Sequence, residues 1–388
     1  MKKYERIISS IASLSSIRML IGATSTIYMI DSGVELYHIG MIKSMQAVII
    51  LVFGLFIGII SDRVNRKNIH TIAIFFSFIW LYLFYLGGIY SSLSLFYLAE
   101  FLNGISLCMI QNNSSGYLVE QFKREDKTNE LDSMFGKLNK WTFIGMSLAS
   151  LIGGVLYYFF SQASFLYTSL LMLCLFIFSL YYLPSGEEYN SSRKLIDKKE
   201  IKLIFRKISK HSRSILSYVS YGLFFQVIIQ YWQVMVYDFE LIAKNTYWLG
   251  LILCLLMLAQ SVAGQAVERK IKISKFNLHV GSILNLIILI LAVYYSMPVV
   301  YIAGLCFIMF FIRYISIVLG AELQSDLKNR FRSKYNMVLN SLLRIITAIT
   351  LFIVGFLLDY FDIDIILYLG IGLISINVLL ALLSKDEY

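Results

Sequence analysis

The stretch Gly58-Ile-Ile-Ser-Asp62-Arg63-Val-Asn65-Arg66-Lys67 closes one long apolar run of the chain and precedes the next. A related stretch, Gly264-Gln-Ala-Val-Glu268-Arg269-Lys-Ile-Lys272, follows about half a chain length later, again at the end of an apolar run. The chain therefore contains an internal repeat of about half its length. We expect two structurally related halves.

The composition excludes an ordinary soluble domain. Of the 388 residues, 58% are hydrophobic, 15% are charged and only 2 are proline. A helix needs about 20 mostly apolar residues to cross a bilayer, and the apolar runs here are separated by short polar breaks. We predict twelve membrane-spanning helices, with centres near Leu20, Leu51, Phe78, Gly104, Ala149, Leu173, Phe225, Leu256, Ile287, Met309, Thr350 and Gly372.

The first stretch resembles the signature loop of the major facilitator superfamily. That loop has Gly, three residues, Asp-Arg, one residue, Gly, Arg and then Arg or Lys, and it joins the second and third helices on the cytoplasmic side. Here Asn65 replaces the second Gly, and we expect it to adopt a positive φ, which Asn tolerates better than other residues with a side chain. Gly58 would allow close helix approach, and Asp62 would face a helix N-terminus. The plainer alternative is a chance charged turn between two spans.

The resemblance implies an all-α integral membrane protein with two pseudo-symmetric six-helix bundles and a substrate site between them near mid-membrane. The corresponding domains are residues 1–184, a cytoplasmic linker at 185–213, and residues 214–388. Within the linker, residues 198–210 have an apolar face and a basic face. This pattern predicts a helix lying on an anionic membrane surface, and a solvated linker helix is the alternative.

The net charge of +10 is distributed as the positive-inside rule requires. With a cytoplasmic N-terminus, Arg18, Arg313 and Arg344 are embedded in apolar runs, Lys43 and Lys244 fall outside, and the remaining Lys and Arg lie in cytoplasmic loops and ends. A nucleic-acid partner is not expected, because no soluble basic face with groove-reading residues is present. We expect a monomer in the bacterial cytoplasmic membrane with both termini in the cytoplasm.

The fourth predicted helix carries the sharpest candidate for chemistry. Phe96, Glu100, Asn103 and Gly104 occupy the positions of a second superfamily motif, in which the family has Arg where this chain has Glu100. This departure removes the family Arg but leaves a titratable group at the same place. A charge inside a membrane is costly and points to function, so we predict that Glu100 couples transport to protons. A structural salt bridge, or a permanently protonated acid, is the alternative.

Two features of the resemblance concern gating and direction. In the family, the signature-loop Arg pairs with an acid at the end of the fourth helix, so we expect Arg66 to pair with Glu120 and to latch the cytoplasmic side. The predicted conformational gate comprises Gly58, Asp62, Arg63, Arg66, Glu120, Gly264, Glu268 and Arg269.

The glycines of the fifth helix match a motif of antiporters, although Ala149-Ser150 replaces its Gly-Pro. These glycines are Gly136, Gly145, Gly153 and Gly154. Simple close packing of small residues is the alternative.

In this fold the first, fourth, seventh and tenth helices line the central cavity. The resemblance therefore predicts a substrate cavity formed by Arg18, Asn103, Gln111, Gln226, Gln230, Gln233 and Arg313, to which we add Arg344 of the eleventh helix. The three glutamines of the seventh helix recur at helical spacing, beside aromatic residues, which suits an amphipathic ligand. Hydrogen bonding between helices is the plainer explanation of the glutamines, and snorkelling to the interface is that of the arginines.

No catalytic set, metal-ligand spacing or phosphate-binding loop is visible in the sequence. We therefore predict neither an enzyme nor a cofactor, and a transporter that is not driven directly by ATP. The favoured function is proton-coupled export of an amphipathic organic compound or small peptide product. The alternatives are uptake or exchange of an organic anion or other nutrient, and a transport-inactive membrane receptor or scaffold.

Overall fold

The computed structural model describes residues 3–60, 64–124, 131–185, 211–269, 271, 273–325 and 329–383. Their regular elements are all α-helices. In chain order these are α1 Lys3–Leu20, α2 Ser25–Asp31, α3 Leu36–Ile60, α4 Arg66–Ile89, α5 Leu93–Arg124, α6 Leu131–Phe160, α7 Ala163–Tyr182, α8 Ser212–Tyr237, α9 Glu240–Lys244, α10 Tyr247–Glu268, α11 Lys275–Tyr294, α12 Pro298–Ser325, α13 Asn329–Leu357 and α14 Ile365–Leu383.

The helices are long and apolar enough to confirm the predicted all-α membrane fold. Within the described residues, 11 helical segments are long and apolar enough to cross a membrane, and Ile365–Leu379 is a shorter apolar segment. Each of the twelve predicted centres lies inside one of these segments. Many large apolar side chains on them are exposed, for example Phe159 at 69% and Val299 at 76%, as expected for surfaces that face lipid.

The chain divides into two compact units. Unit 1 comprises residues 1–193 together with 244–254, and unit 2 comprises residues 194–243 together with 255–388. In unit 1, α4 packs on α5 and α7, α3 packs on α5, and α1 packs on α6. In unit 2, α12 packs on α8 and α11, and α14 packs on the same two helices. The amphipathic helix predicted at residues 198–210 lies outside the described residues.

The first predicted span is broken where we expected one continuous helix. α1 ends at Leu20, and α2 begins at Ser25 after a turn in which the Thr24 amide donates to the Ile21 carbonyl oxygen at 3.1 Å. Upstream, Ser15 and Ser16 donate their hydroxyls to carbonyls one turn back, at 3.1 Å and 2.7 Å. Such bonds bend helices. The break lies half a turn beyond Arg18.

Glycines of α6 explain how tightly α6 packs on α1. A Cβ added at Gly153 would lie 1.8 Å from the backbone oxygen of Leu20, and one at Gly145 would lie 2.2 Å from the Ser16 hydroxyl. A side chain at Gly153 would therefore collide with main chain at the helix break. By contrast, a Cβ at Gly136 would meet nothing within 4 Å. The spacing of Gly145 and Gly153 thus serves close helix packing in this chain.

Candidate functional site

Glu100 is the centre of a buried polar network in unit 1. Its side chain lies on α5 and is 1% exposed. One carboxylate oxygen accepts from the Lys43 ammonium at 3.0 Å, and the other accepts from the amides of Gln46 and Asn103, each at 2.7 Å. α3 presents Lys43 and Gln46 one turn apart, and α5 presents Glu100 and Asn103 one turn apart, because residues at i and i+3 share a helix face.

The position of Lys43 corrects the sequence analysis. We counted this lysine in an outer connection, but it lies in α3 with only 8% of its surface exposed, and it forms an ion pair with Glu100. The reason is the length of α3, which begins at Leu36, so that Lys43 is already two turns inside the helix. A buried carboxylate and a buried ammonium stabilise each other where either alone would be costly. Lys43 and Gln46 are site residues that the sequence analysis did not assign.

Arg18 extends the network to α1. Its guanidinium donates to the Asn103 side-chain oxygen and, at 3.0 Å, to the Ser77 hydroxyl, and it lies 4.5 Å from the centre of the Trp80 ring. Ser77 is in turn hydrogen-bonded to Ser106 at 2.6 Å. Among the described residues, no carboxylate lies within ion-pair distance of Arg18, which is partly exposed.

The charges of this network do not balance. Arg18 and Lys43 bring two positive charges and Glu100 brings one negative charge, so the ionised set has a net charge of +1. Asn103 links the two ends, since it accepts from Arg18 and donates to Glu100. A solute that contacts Arg18 would therefore change the electrostatic surroundings of Glu100 through one intervening side chain.

The predicted ion pair at the signature-loop end of unit 1 is present. The Arg66 Nε lies 3.4 Å from a Glu120 oxygen, and Arg124 contacts the other Glu120 oxygen at 3.1 Å. The absence of a side chain at Gly116 leaves room for the Arg66 guanidinium, because an added Cβ there would lie 2.0 Å from one of its nitrogens. Asn113 fixes the start of α4 by donating its amide to the Arg66 carbonyl at 2.8 Å.

Asn65 has a different role from the one expected. Its φ is −52° rather than positive, and its side-chain oxygen accepts from the Lys67 amide at 2.9 Å. It is the N-cap of α4, a position that Asn favours because its short side chain satisfies a free backbone N–H. Asp62 and Arg63 lie outside the described residues. Gly58 lies in α3, but the structure does not describe its contacts.

The second copy of the signature is less tightly packed. A Cβ added at Gly264 would meet nothing within 4 Å, and Glu268 and Arg269, at the end of α10, are both exposed. Among the described residues neither of these two side chains has an ion-pair partner. The gating role of Gly264, Glu268 and Arg269 stays a prediction.

The remaining predicted cavity residues are distributed over several helices. On α5, Gln111 is exposed and more than two turns from Asn103. In unit 2, Gln226 and Gln230 are half-buried on α8 and Gln233 is 2% exposed. Arg313 is exposed on α12, and Arg344 is half-buried on α13. The structure thus brings together Arg18, Asn103 and Glu100 of the predicted set, and adds Lys43 and Gln46.

One end of unit 2 is acidic. Asp238 follows α8, and Asp362 and Asp364 precede α14. Burial, and then the negative charges of Asp364 and Asp362, raise the pKa of Asp238 above its ordinary value. Burial and Asp362 likewise raise the pKa of Asp364. These carboxyls therefore lie close enough to repel one another.

The model of the Major Facilitator Superfamily matches residues 7–323 of the chain. The chain belongs to this superfamily. The match extends from the start of α1 to the end of α12, so it includes both copies of the signature stretch and the Glu100 network. No curated protein sequence matches the chain.

Solved structures of transporters share the fold over nearly the whole length. The nucleoside transporter NupG has a TM-score of 0.78 at 13% identity, with 99% of this chain and 98% of that chain covered. A D-xylose-proton symporter has a TM-score of 0.70 at 14% identity, covering 99% and 97%. A bacterial homologue of the human lysosomal transporter Spinster has a TM-score of 0.68 at 12% identity, covering 99% and 95%. The family match identifies the protein as a secondary transporter of this superfamily.

Proposed function

We propose that the chain is a proton-coupled transporter in which Glu100 carries the proton and Arg18 and Asn103 bind the solute. The observation that supports this is the continuous set of contacts from the partly exposed Arg18, through Asn103, to the buried Glu100–Lys43 pair. Protonation of Glu100 would remove the negative charge that holds Lys43. Because solute and proton act on one network, each changes the affinity for the other, and this coupling is reciprocal.

The proposed transport mechanism is alternating access between the two halves, with the cavity completed by Gln226, Gln230 and Gln233, by Arg313 and Arg344, and by Gln111. The Arg66–Glu120 pair is the proposed latch at the signature-loop end, and Gly58, Asp62 and Arg63 would take part in the same gate, as would Gly264 of the second copy. The break after α1 supports a solute site beside Arg18, since discontinuous helices form binding sites in other transporter folds. The proposed location is the bacterial cytoplasmic membrane, with a monomeric protein and cytoplasmic termini.

Export of an amphipathic organic compound or small peptide product is the proposed direction and substrate class. The glycine pattern of α6 favours it, although these glycines also have the packing role described above. In an exchange mechanism, a cationic solute close to the network would favour the ionised form of Glu100 and thereby release its proton. One of the solved structures with this fold is a D-xylose-proton symporter, so the fold accommodates coupling of solute movement to protons.

Uptake of an organic anion together with a proton is the second candidate. It is favoured by the net positive charge of the network, in which Arg18 lacks a carboxylate partner among the described residues. An anion beside Arg18 would favour a proton on Glu100, because the second negative charge raises the affinity of the carboxylate for protons.

The sign of proton movement separates these two functions. Purified protein is reconstituted into liposomes that enclose a pH indicator, and members of two solute classes, amphipathic amines and organic carboxylates, are added outside. Acidification of the interior upon carboxylate entry, in excess of that in protein-free liposomes, supports proton co-transport, whereas alkalinisation upon amine entry, in excess of the same control, supports exchange. Solute entry with no change in pH contradicts proton coupling, and absence of any flux for both classes favours the receptor or scaffold alternative.

A further inference from the structure

Four aspartates lie in the loops at the acidic end of unit 2. The loops that join α8 to α9, α11 to α12 and α13 to α14 contain Asp238, Asp359, Asp362 and Asp364, and they contain no lysine, arginine or histidine. Asp238, Asp359 and Asp362 are exposed, and Asp364 is half-buried. Among the described residues, none of the four side chains has a hydrogen bond or an ion pair. This end of the unit therefore presents negative charge to the solvent without a counter-charge.

Two buried tyrosine hydroxyls lie next to these acids. Tyr301, near the start of α12, and Tyr231, near the end of α8, are both 0% exposed. Neither hydroxyl has a hydrogen-bond partner in the part of the chain that the structure describes. Tyr301 lies close enough to Asp364 and Asp238 to interact with both electrostatically, and Tyr231 is similarly close to Asp359. Because a buried polar group without a partner is costly, these hydroxyls point to a partner that the chain does not supply.

The position of Tyr301 suits an ammonium group. Its ring is fixed by Phe239, with ring centroids 5.4 Å apart, and its hydroxyl lies beyond hydrogen-bond distance of both neighbouring carboxylates. An ammonium ion has three N–H donors, and a phenol oxygen and two carboxylates are three acceptors. Hydrogen bonds from a charged donor to carboxylates are the stronger kind. An ammonium group placed among Tyr301, Asp238 and Asp364 would therefore satisfy all three.

The acids are spread out rather than converging on one point. No group of three or more His, Cys, Asp and Glu side chains within the described residues could hold a metal ion, whereas Ca²⁺ and Mg²⁺ require several oxygen ligands around one centre. A ligand whose positive charges are distributed along a flexible chain matches this arrangement better. We propose that the acidic end of unit 2 binds a linear diamine or polyamine, with one ammonium group among Tyr301, Asp238 and Asp364 and another toward the exposed Asp362. The site does not depend on proton coupling at Glu100.

Isothermal titration calorimetry on the full chain in detergent, at about 0.15 M salt to screen non-specific attraction, tests the proposal. The probes are spermidine, 1,4-diaminobutane, n-butylamine and Mg²⁺. Spermidine or 1,4-diaminobutane should bind at least about tenfold more tightly than n-butylamine, because a second ammonium group adds a charge-assisted hydrogen bond. It should also bind more tightly than Mg²⁺, which cannot span separated carboxylates. Absence of binding by both spermidine and 1,4-diaminobutane, or an affinity of either control probe that equals theirs, would overturn the proposal.

Carboxylate variants connect the binding to this end of unit 2. Asp238→Asn and Asp364→Asn should each weaken the binding of 1,4-diaminobutane about tenfold. Glu35→Gln removes the same charge at an exposed acid of unit 1 and should leave the affinity unchanged. Equal affinities of the three variants would mean that overall charge alone attracts the amine, and the proposed site would be wrong. Glu100→Gln should retain diamine binding, so a failure of proton coupling is distinguishable from a failure of this site.

Tyr301→Phe separates ligand binding from folding. It removes a buried hydroxyl that has no partner among the described residues, so without ligand its melting temperature should be at least that of the wild type. The rise in melting temperature on addition of 1,4-diaminobutane should be smaller than in the wild type, because the ammonium group loses one acceptor. Tyr294→Phe, at a tyrosine that is 78% exposed, is the control and should match the wild type in both measurements. A rise in Tyr301→Phe as large as that of the wild type would overturn the assigned position of the ammonium group.

Discussion

Lys43 and Glu100 are the two residues whose pairing most constrains the site. They lie on adjacent helices, their polar atoms are 3.0 Å apart, and almost none of either side chain reaches solvent. Placing one charged side chain at the centre of a membrane helix costs about 2.5 to 3.5 kcal/mol on insertion scales. Each buried charge therefore needs the other as its counter-charge, unless a proton neutralises Glu100 or a charged solute replaces one partner. This mutual dependence makes the pair suitable for coupling solute transport to proton movement.

We expect Lys43→Met to destabilise the protein more than the double variant Lys43→Met with Glu100→Gln. The single change leaves a buried carboxylate without its counter-charge, which costs about 3 to 5 kcal/mol in buried pairs, whereas removal of both charges is close to neutral. Thermal unfolding in detergent measures the difference. As a control, Lys275→Gln breaks a pair with Glu322 whose side chains are 45% and 32% exposed, and should cost about 1 kcal/mol or less. A double variant no more stable than Lys43→Met would contradict this account of the pair.

The sequence identified one member of this pair and missed the other for a physical reason. Glu100 is conspicuous because it is an acid inside an apolar run, and hydropathy alone makes it exceptional. Lys43 stands near the start of a run, where a lysine ordinarily reaches the interface, and its partner is 57 residues away in the chain. Only the packing of α3 on α5 brings them together. The role of Asn65 was predicted wrongly for a different reason: both an N-cap position and a positive φ favour asparagine, so the residue type does not distinguish them.

At the scale of elements, the packing of α6 on α1 depends on Gly153. We expect Gly153→Ala to destabilise the protein by about 2 kcal/mol or more, since the new methyl group would collide with the Leu20 backbone and overpacking of this kind costs about 1 to 3 kcal/mol. Gly136→Ala on the same helix has open space, and should be neutral or stabilising by up to about 1 kcal/mol. Thermal unfolding of the two variants in one detergent makes the comparison, and equal melting temperatures would contradict the proposed contact.

The start of α4 should depend on the Arg66–Glu120 pair. We expect Glu120→Gln to increase hydrogen exchange of the first backbone amides of α4 about twofold to fivefold, because a partly exposed pair contributes up to about 1 kcal/mol. Asn65→Ala should have a larger effect, since loss of an N-cap costs about 0.5 to 2 kcal/mol. Hydrogen exchange detected by mass spectrometry would show both. Unchanged exchange in Glu120→Gln would mean that the pair does not hold this end of the helix.

The positions of the membrane-spanning helices were predictable from the sequence. Every predicted span centre lies within a helix because the bilayer requires long apolar segments, and their positions follow from hydropathy. The break between α1 and α2 was not predictable in the same way. Gly22 and Thr24 are tolerated within membrane helices. The break lies just beyond two serine hydroxyls that bond back to carbonyls of the same helix and against Gly153 of α6, and the second of these contacts is tertiary.

At the scale of the whole molecule, the repeat of the signature stretch and the family match lead to one account. The chain is a transporter of the major facilitator superfamily, and its N-terminal unit contains a network of charged and polar side chains that connects Arg18 to the buried Glu100. Relatives with the same fold carry different solutes, as the nucleoside transporter and the D-xylose-proton symporter illustrate. The solute class and direction therefore have to be established on this chain's own residues.

Substrate-dependent proton movement in proteoliposomes, compared between the wild type and Glu100→Gln, tests the central claim most directly. Solutes of the amine and carboxylate classes are screened on the wild type, and Glu322→Gln serves as a control at an acid outside the network. The account predicts proton movement coupled to solute flux in the wild type and in Glu322→Gln, and loss of that coupling in Glu100→Gln. Solute flux without protons in the wild type, or normal coupling in Glu100→Gln, would contradict the assignment of Glu100 as the proton carrier.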